Sequence, residues 1–177
     1  MHLWRSVMFS LILVAIQILL FAACSKQEAS TQPIQTLQVI VPGEGTENCR
    51  LGNSLTETEL PFGKQKQKLN GHASAKNEGV EVIIENGKID TIFYFFRSKT
   101  YRSFSGSTEK GIGANSTIDE VIKAYGKPDR IGESTVSEFG PEPGAKEHFL
   151  EYPKLGIYFT FYNEKLADIR IRPKKIS

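Results

Sequence analysis

The chain has 177 residues, with 22 Lys or Arg against 20 Asp or Glu and a formal net charge of +2. That length suits one compact domain or two small fused ones. The near-even charge gives no electrostatic case for nucleic acid or for an acidic substrate.

Met-His-Leu-Trp-Arg opens the chain, and Ser6 to Ala23 follows without a charge, with Gln17 as its main polar interruption. A short basic start, an apolar core and small residues ahead of a cut site are the parts of an export signal, although the stretch is also long enough to be read as a membrane span. Its end, Leu20-Phe21-Ala22-Ala23-Cys24, resembles the lipobox of bacterial lipoproteins, with Phe21 where Leu is usual. The resemblance implies that residues 1–23 are removed and that Cys24 carries lipid as the first mature residue. One acyl chain holds only reversibly, at about 0.8 kcal/mol per buried methylene, so stable anchoring takes more than one. Ser25 after the cysteine resembles the pattern for transfer to the outer membrane, facing the periplasm, in a Gram-negative cell. Otherwise the anchor lies in the outer face of the cytoplasmic membrane. With Cys24 acylated, Cys49 has no partner for an intramolecular disulfide and reads as a small semi-buried residue.

Residues 24–38 are polar, Pro-containing and poor in bulky apolar groups, and read as a lipidated tether. Val39, Ile40 and Val41 then form a short edge strand before Pro42-Gly43. Beyond them the sequence repeats. Gly79 to Ile92 aligns without a gap with Gly156 to Ile169 at an offset of 77, matching Gly79 to Gly156, Asn86 to Asn163 and Lys88 to Lys165. Upstream, Leu51-Gly52-Asn53-Ser54 and Phe62-Gly63-Lys64 echo Ile112-Gly113 through Ser116 and Tyr125-Gly126-Lys127. These echoes assign 39–105 to repeat one and 106–177 to repeat two. The second holds about 14 extra residues, among them the run Phe139 to Gly144.

In repeat two, Ser116 to Asp119 reads as a capping box opening a helix whose stripe is Ile118, Val121, Ile122 and Tyr125. Gly126 and Pro128 end it. Ser54 to Glu57 has the same form in repeat one, with Pro61 cutting that helix short. Val80, Val82 and Ile84 alternate with acids, Asn86-Gly87 is a type I′ turn signal, and Ile89 to Phe96 returns as the partner strand. Ile157, Phe159 and Phe161 lead into Asn163-Glu164; Ala167, Ile169 and Ile171 face the same side on return, and His148 to Tyr152 precedes them as a further strand. The expected fold class is α+β: two tandem helix-plus-antiparallel-strand repeats, with short helices packed on one face of an antiparallel sheet.

The pattern Ile-Gly-x-x-Ser, Val-Ile-x-x-Tyr-Gly-Lys-Pro, Leu-Gly-Ile-x-Phe and Ile-x-Ile is similar to the repeat of bacterial envelope proteins. These are related in fold to the β-lactamase inhibitor protein and to the small outer-membrane assembly lipoproteins of the SmpA/OmlA (BamE) type. The resemblance covers Val41 to about Ile171. It implies a non-catalytic module that binds another envelope protein or braces an assembly, and it transfers no binding residue.

The residues themselves show no Gly-x-Ser-x-Gly elbow, no His-Glu-x-x-His and no phosphate-binding loop, so no catalytic residue, cofactor or metal site is expected. Gly111 to Ser116 reads as a strand-to-helix turn rather than an anion cradle. The candidate partner-binding residues are Arg97, Lys99, Tyr101 and Arg102. On a long strand Arg97, Lys99 and Tyr101 would share one face, and aromatic and Arg side chains are the usual binding anchors. The basic residues Lys64, Lys66, Lys68, Lys174 and Lys175 read as solvated. The alternative function is a periplasmic small-ligand-binding protein or enzyme using His72, His148 and Cys49.

Overall fold

The chain divides into two units, 1–34 and 35–177. The computed structural model describes residues 38–62 and 69–176, which all belong to the second. The leader 1–23, Cys24, the tether up to residue 37 and Lys64, Lys66 and Lys68 lie outside the described residues. No described helix is long and apolar enough to cross a membrane.

Seven strands form one antiparallel sheet: β4 (Gly71–Ala75), β5 (Val80–Glu85), β6 (Lys88–Phe95), β8 (Arg130–Thr135), β9 (Lys146–Tyr152), β10 (Ile157–Tyr162) and β11 (Lys165–Ile171). Their spatial order is β4-β5-β6-β11-β10-β9-β8. The last strand of the chain therefore lies in the middle, where Ile169 faces Tyr94 and Ile171 faces Ile92. Two small pairs complete the strands: β1 (Val39–Ile40) runs parallel to β7 (Ser107–Thr108), and β2 (Gly45–Thr46) is antiparallel to β3 (Cys49–Arg50).

The hairpins follow from their turns. Asn86 and Gly87 both hold positive φ (51° and 75°), as a type I′ turn requires. Asn163 and Glu164 do the same at φ 48° and 65°, so the second hairpin closes with a non-glycine residue in the left-handed region. A bulge beside Thr160 and Phe161 shifts the register of β11. Leu166, rather than the expected Ala167, faces Phe161 and the main core, while Ala167 joins a small cluster with Val136, Ala145 and Tyr162.

The expected fold of two helix-plus-strand repeats, with helices packed on a sheet, does not form. The described residues are dominated by strands and contain a single α-helix, α1 (Ile118–Tyr125). In repeat one the Ser54–Glu57 capping box closes only a 3-10 turn, Leu55–Glu57. Thr58 is already extended, and the ring of Pro61 disfavours helical geometry at Leu60. Leu55 enters the core from this single turn, and Leu60 and Phe62 enter it from the irregular chain that follows. The helix of repeat two is displaced by one residue at its start. Thr117, not Ser116, is the N-cap, accepting from the Glu120 amide at 3.3 Å while the Glu120 carboxylate accepts from the Thr117 amide at 2.8 Å. Ser116 is used one step earlier, where its hydroxyl accepts from the Gly113 amide.

The inner face of the sheet is buried. Val80, Val82, Ile92, Tyr94, Leu150, Ile157, Phe159, Ile169 and Ile171 are all at most 1 % exposed. Segment 38–62 covers one half of this face. Gly52 donates to the Ile89 carbonyl, Ile89 to that of Asn53, and the Tyr94 hydroxyl to Thr46 at 3.4 Å. Helix α1 covers the other half, with Tyr125 against Tyr152 and Phe159 at ring distances of 5.7 and 5.4 Å.

Candidate functional site: the outer face of the sheet

Alternation along the strands puts a second set of residues on the opposite face. The register aligns one row across all seven strands: Ser74, Glu81, Phe93, Arg170, Tyr158, Glu151 and Arg130. A second row beside it runs Phe95, Asp168, Thr160, Phe149 and Gly132. Among the described residues no helix lies on these rows, and most of their side chains are partly exposed.

The rows are knit together by rings and cations. Phe93 and Phe95 stack nearly parallel at 6.0 Å, and Tyr101 stacks on Phe95 at 4.4 Å. The Arg170 guanidinium sits 4.9 Å from the Phe93 ring centre, and Arg130 lies 5.4 Å from that of Phe149. Phe149 in turn spreads over Gly132, where a Cβ would overlap its ring. At the β8 end Arg130 meets Glu151 at 3.7 Å. At the β4 end Glu81 accepts from the Tyr101 hydroxyl and faces Ser74 Oγ at 3.3 Å and His72 Nδ1 at 3.0 Å.

Asp168 is the buried acid of this face, 7 % exposed. Its Oδ1 accepts from Thr160 Oγ1 at 3.2 Å, and burial pushes its carboxyl up to about 6 against the opposing pull of Arg170. Burial also pushes the nearby Tyr162 hydroxyl up to about 12, helped by the negative charge of Asp168, Glu147 and Glu142.

The four residues expected on one strand are placed differently. β6 ends at Phe95, and Ser98 Oγ accepts from the amides of Thr100 and Tyr101, turning the chain. Tyr101 folds back onto the outer face. Arg97 goes elsewhere: it donates to the Tyr162 carbonyl at 2.9 Å and pairs with Glu142 at 3.2 Å. Lys99 and Arg102 are exposed on the turn, where the Arg102 amide donates to the Lys76 carbonyl. Of the four, only Tyr101 belongs to the aromatic strip. Phe93, Arg170, Tyr158, Glu151 and Arg130 escaped the sequence reading, although the placement of Ile169 and Ile171 on the inner side already put Arg170 on the other.

His72, His148 and Cys49 do not converge. His72 lies on β4 and His148 on β9, five strand spacings apart, or roughly 24 Å. His72 is on the outer face beside Glu81, whereas His148 shares the side of Leu150 and Phe161 and meets Glu133 at 3.4 Å. Cys49 is fully buried, and burial pushes its thiol up to about 12, so it is not a thiolate at neutral pH.

No family model, no curated protein and no solved structure matches this chain.

Proposed function

We propose that the chain is a lipid-anchored cell-envelope protein that binds another envelope protein, non-catalytically, through the outer face of its sheet. The observation that carries this reading is the seven-residue row with its flanking rings. Aromatic and Arg side chains held on a rigid sheet are the anchors that dominate protein interfaces. The lipobox-like end of the leader supports anchoring at Cys24, with residues up to 38 as the spacer. The described depression lined by Arg97, Ser116, Thr117 and Lys165 lies beside the start of α1, away from the outer rows. The rows themselves, a sheet face, suit a flat partner better than an enclosed small molecule.

The test is an in-cell photocrosslink from position 149 or 93, alongside metabolic labelling with an alkyne fatty acid. The reading expects acyl label on the native chain and none on Cys24→Ala. It also expects one dominant adduct that is lost in Cys24→Ala and in Phe95→Glu. Absence of acyl label removes the anchor, and absence of any dominant adduct from the outer face removes the binding role.

A further inference from the structure

Arginines around the sheet differ in how their charge is answered. Arg130 has Glu151 at 3.7 Å, and Arg97 has both Glu142 and the Tyr162 carbonyl. Arg170 has neither kind of partner among the described residues. Its Nε is buried without a hydrogen-bond acceptor, and its guanidinium rests on the Phe93 ring. Tyr158 stands opposite on β10, so the row places an aromatic residue on the strand to each side of Arg170. Asp168, two residues back along β11, feels the Arg170 charge but hydrogen-bonds Thr160 and makes no ion pair with the guanidinium. A fixed guanidinium with open donors is costly to keep unless something accepts from it.

We propose that Arg170 is the anchor by which the outer face takes an aspartate or glutamate side chain from an extended segment of a partner protein. This rests on the outer face being the binding surface. The row selects the chemistry. Two strands to either side of Arg170, roughly 10 Å away, stand Glu81 and Glu151. A uniformly anionic surface such as a lipid headgroup layer would meet these two carboxylates. A single carboxylate with cations or hydroxyls to either side matches the sequence of signs. Phe93 and Tyr158 flank the bound group and exclude water, which strengthens a charge-assisted pair.

The test uses the full-length chain in detergent micelles. The probe is a blocked heptapeptide with a central glutamate, a tyrosine on each side and a lysine at each end, compared with its central-glutamine counterpart. A hydrogen bond to a charged group contributes about 1.5–3 kcal/mol. The glutamate peptide should therefore bind at least about tenfold more tightly, and should shift the Arg170 side-chain Nε–H resonance. Arg170→Gln should abolish the difference between peptides, with unchanged amide dispersion confirming the fold. Equal affinity of the two peptides, or an unmoved Arg170 signal at millimolar peptide, overturns the assignment. So does Arg170-dependent binding to phosphatidylglycerol vesicles without peptide discrimination, which would give the cation to a headgroup, or Arg170-dependent self-association. The crosslink from Phe149 or Phe93 reports separately on the surface. An adduct indifferent to Arg170→Gln leaves the outer face standing and removes only the carboxylate partner.

Discussion

At the scale of single residues, two of the buried groups whose ionisation is suppressed, Asp168 and Cys49, each make a measurable demand. Asp168 moves from 3.8 to about 6 because burial penalises its charge more than Arg170 and Thr160 favour it. The folded carboxyl therefore holds its proton more tightly than the unfolded one. Below about pH 4 both states are protonated and no penalty exists. As pH rises from 4 through 6 the unfolded state gains by ionising first, and folding stability falls. Two pH units correspond to about 3 kcal/mol. Asp168→Asn should thus raise stability at pH 8 by up to about 3 kcal/mol and leave it unchanged near pH 3.5, as read by urea unfolding at both values. An equal effect at both pH values would show that the substitution acts through packing rather than charge. Cys49 makes the complementary case. Its thiol, fully buried and pushed up to about 12, should resist N-ethylmaleimide in the folded protein and react stoichiometrically in 6 M guanidinium. Rapid labelling under native conditions would mean that the β2–β3 layer opens locally.

Among the elements, the hairpins were the most legible because their signals are local. Asn86-Gly87 names its own turn, and the alternation in Val80 to Glu85, broken only by Ile83, names the buried face. The second hairpin uses Glu164 where its counterpart has Gly87, at φ 65°. A non-glycine left-handed residue costs roughly 1–2 kcal/mol, part of which Gly returns through the greater freedom of the unfolded chain. Glu164→Gly should therefore stabilise the fold by about 0.5–1 kcal/mol, seen as a higher urea midpoint with an unchanged slope. A destabilised variant would mean that the Glu164 side chain makes a compensating contact. Other elements were illegible for physical reasons. β8, Arg130 to Thr135, has almost no buried side chain, since it is the sheet edge, so no hydrophobic period marks it. The end of β6 was hidden because Phe93 to Phe96 looks uniformly apolar, while the turn that stops it depends on one hydroxyl, Ser98. The first helix failed because a capping box specifies a start and not a length. Ser54 to Glu57 is satisfied by one 3-10 turn when Pro61 follows so soon.

For the whole molecule, the order of strands explains why a repeated sequence does not produce two separate bodies. β11, the last strand, inserts between β10 and β6, so the two halves share backbone ladders as well as one inner core. The outer rows exist only through this insertion, because Arg170 of β11 is what connects Phe93 on one side to Tyr158 on the other. No pairwise signal in the sequence announces a contact between residue 93 and residue 170. The inner residue of the same strand tests the consequence. Ile169 is fully buried and lies opposite Tyr94 of one half and Phe159 of the other. Ile169→Ala should cost about 2–5 kcal/mol, the usual range for deleting a buried aliphatic group where neighbours cannot collapse into the space. Because the joint is shared, that loss should appear in both halves at once. Native-state hydrogen exchange at the core strand amides of β5 and of β10 should accelerate by the same factor, and unfolding should stay a single transition by fluorescence and circular dichroism. If β10 alone were to loosen while β5 kept its protection, the halves would be folding independently, and the outer row could not be one rigid surface.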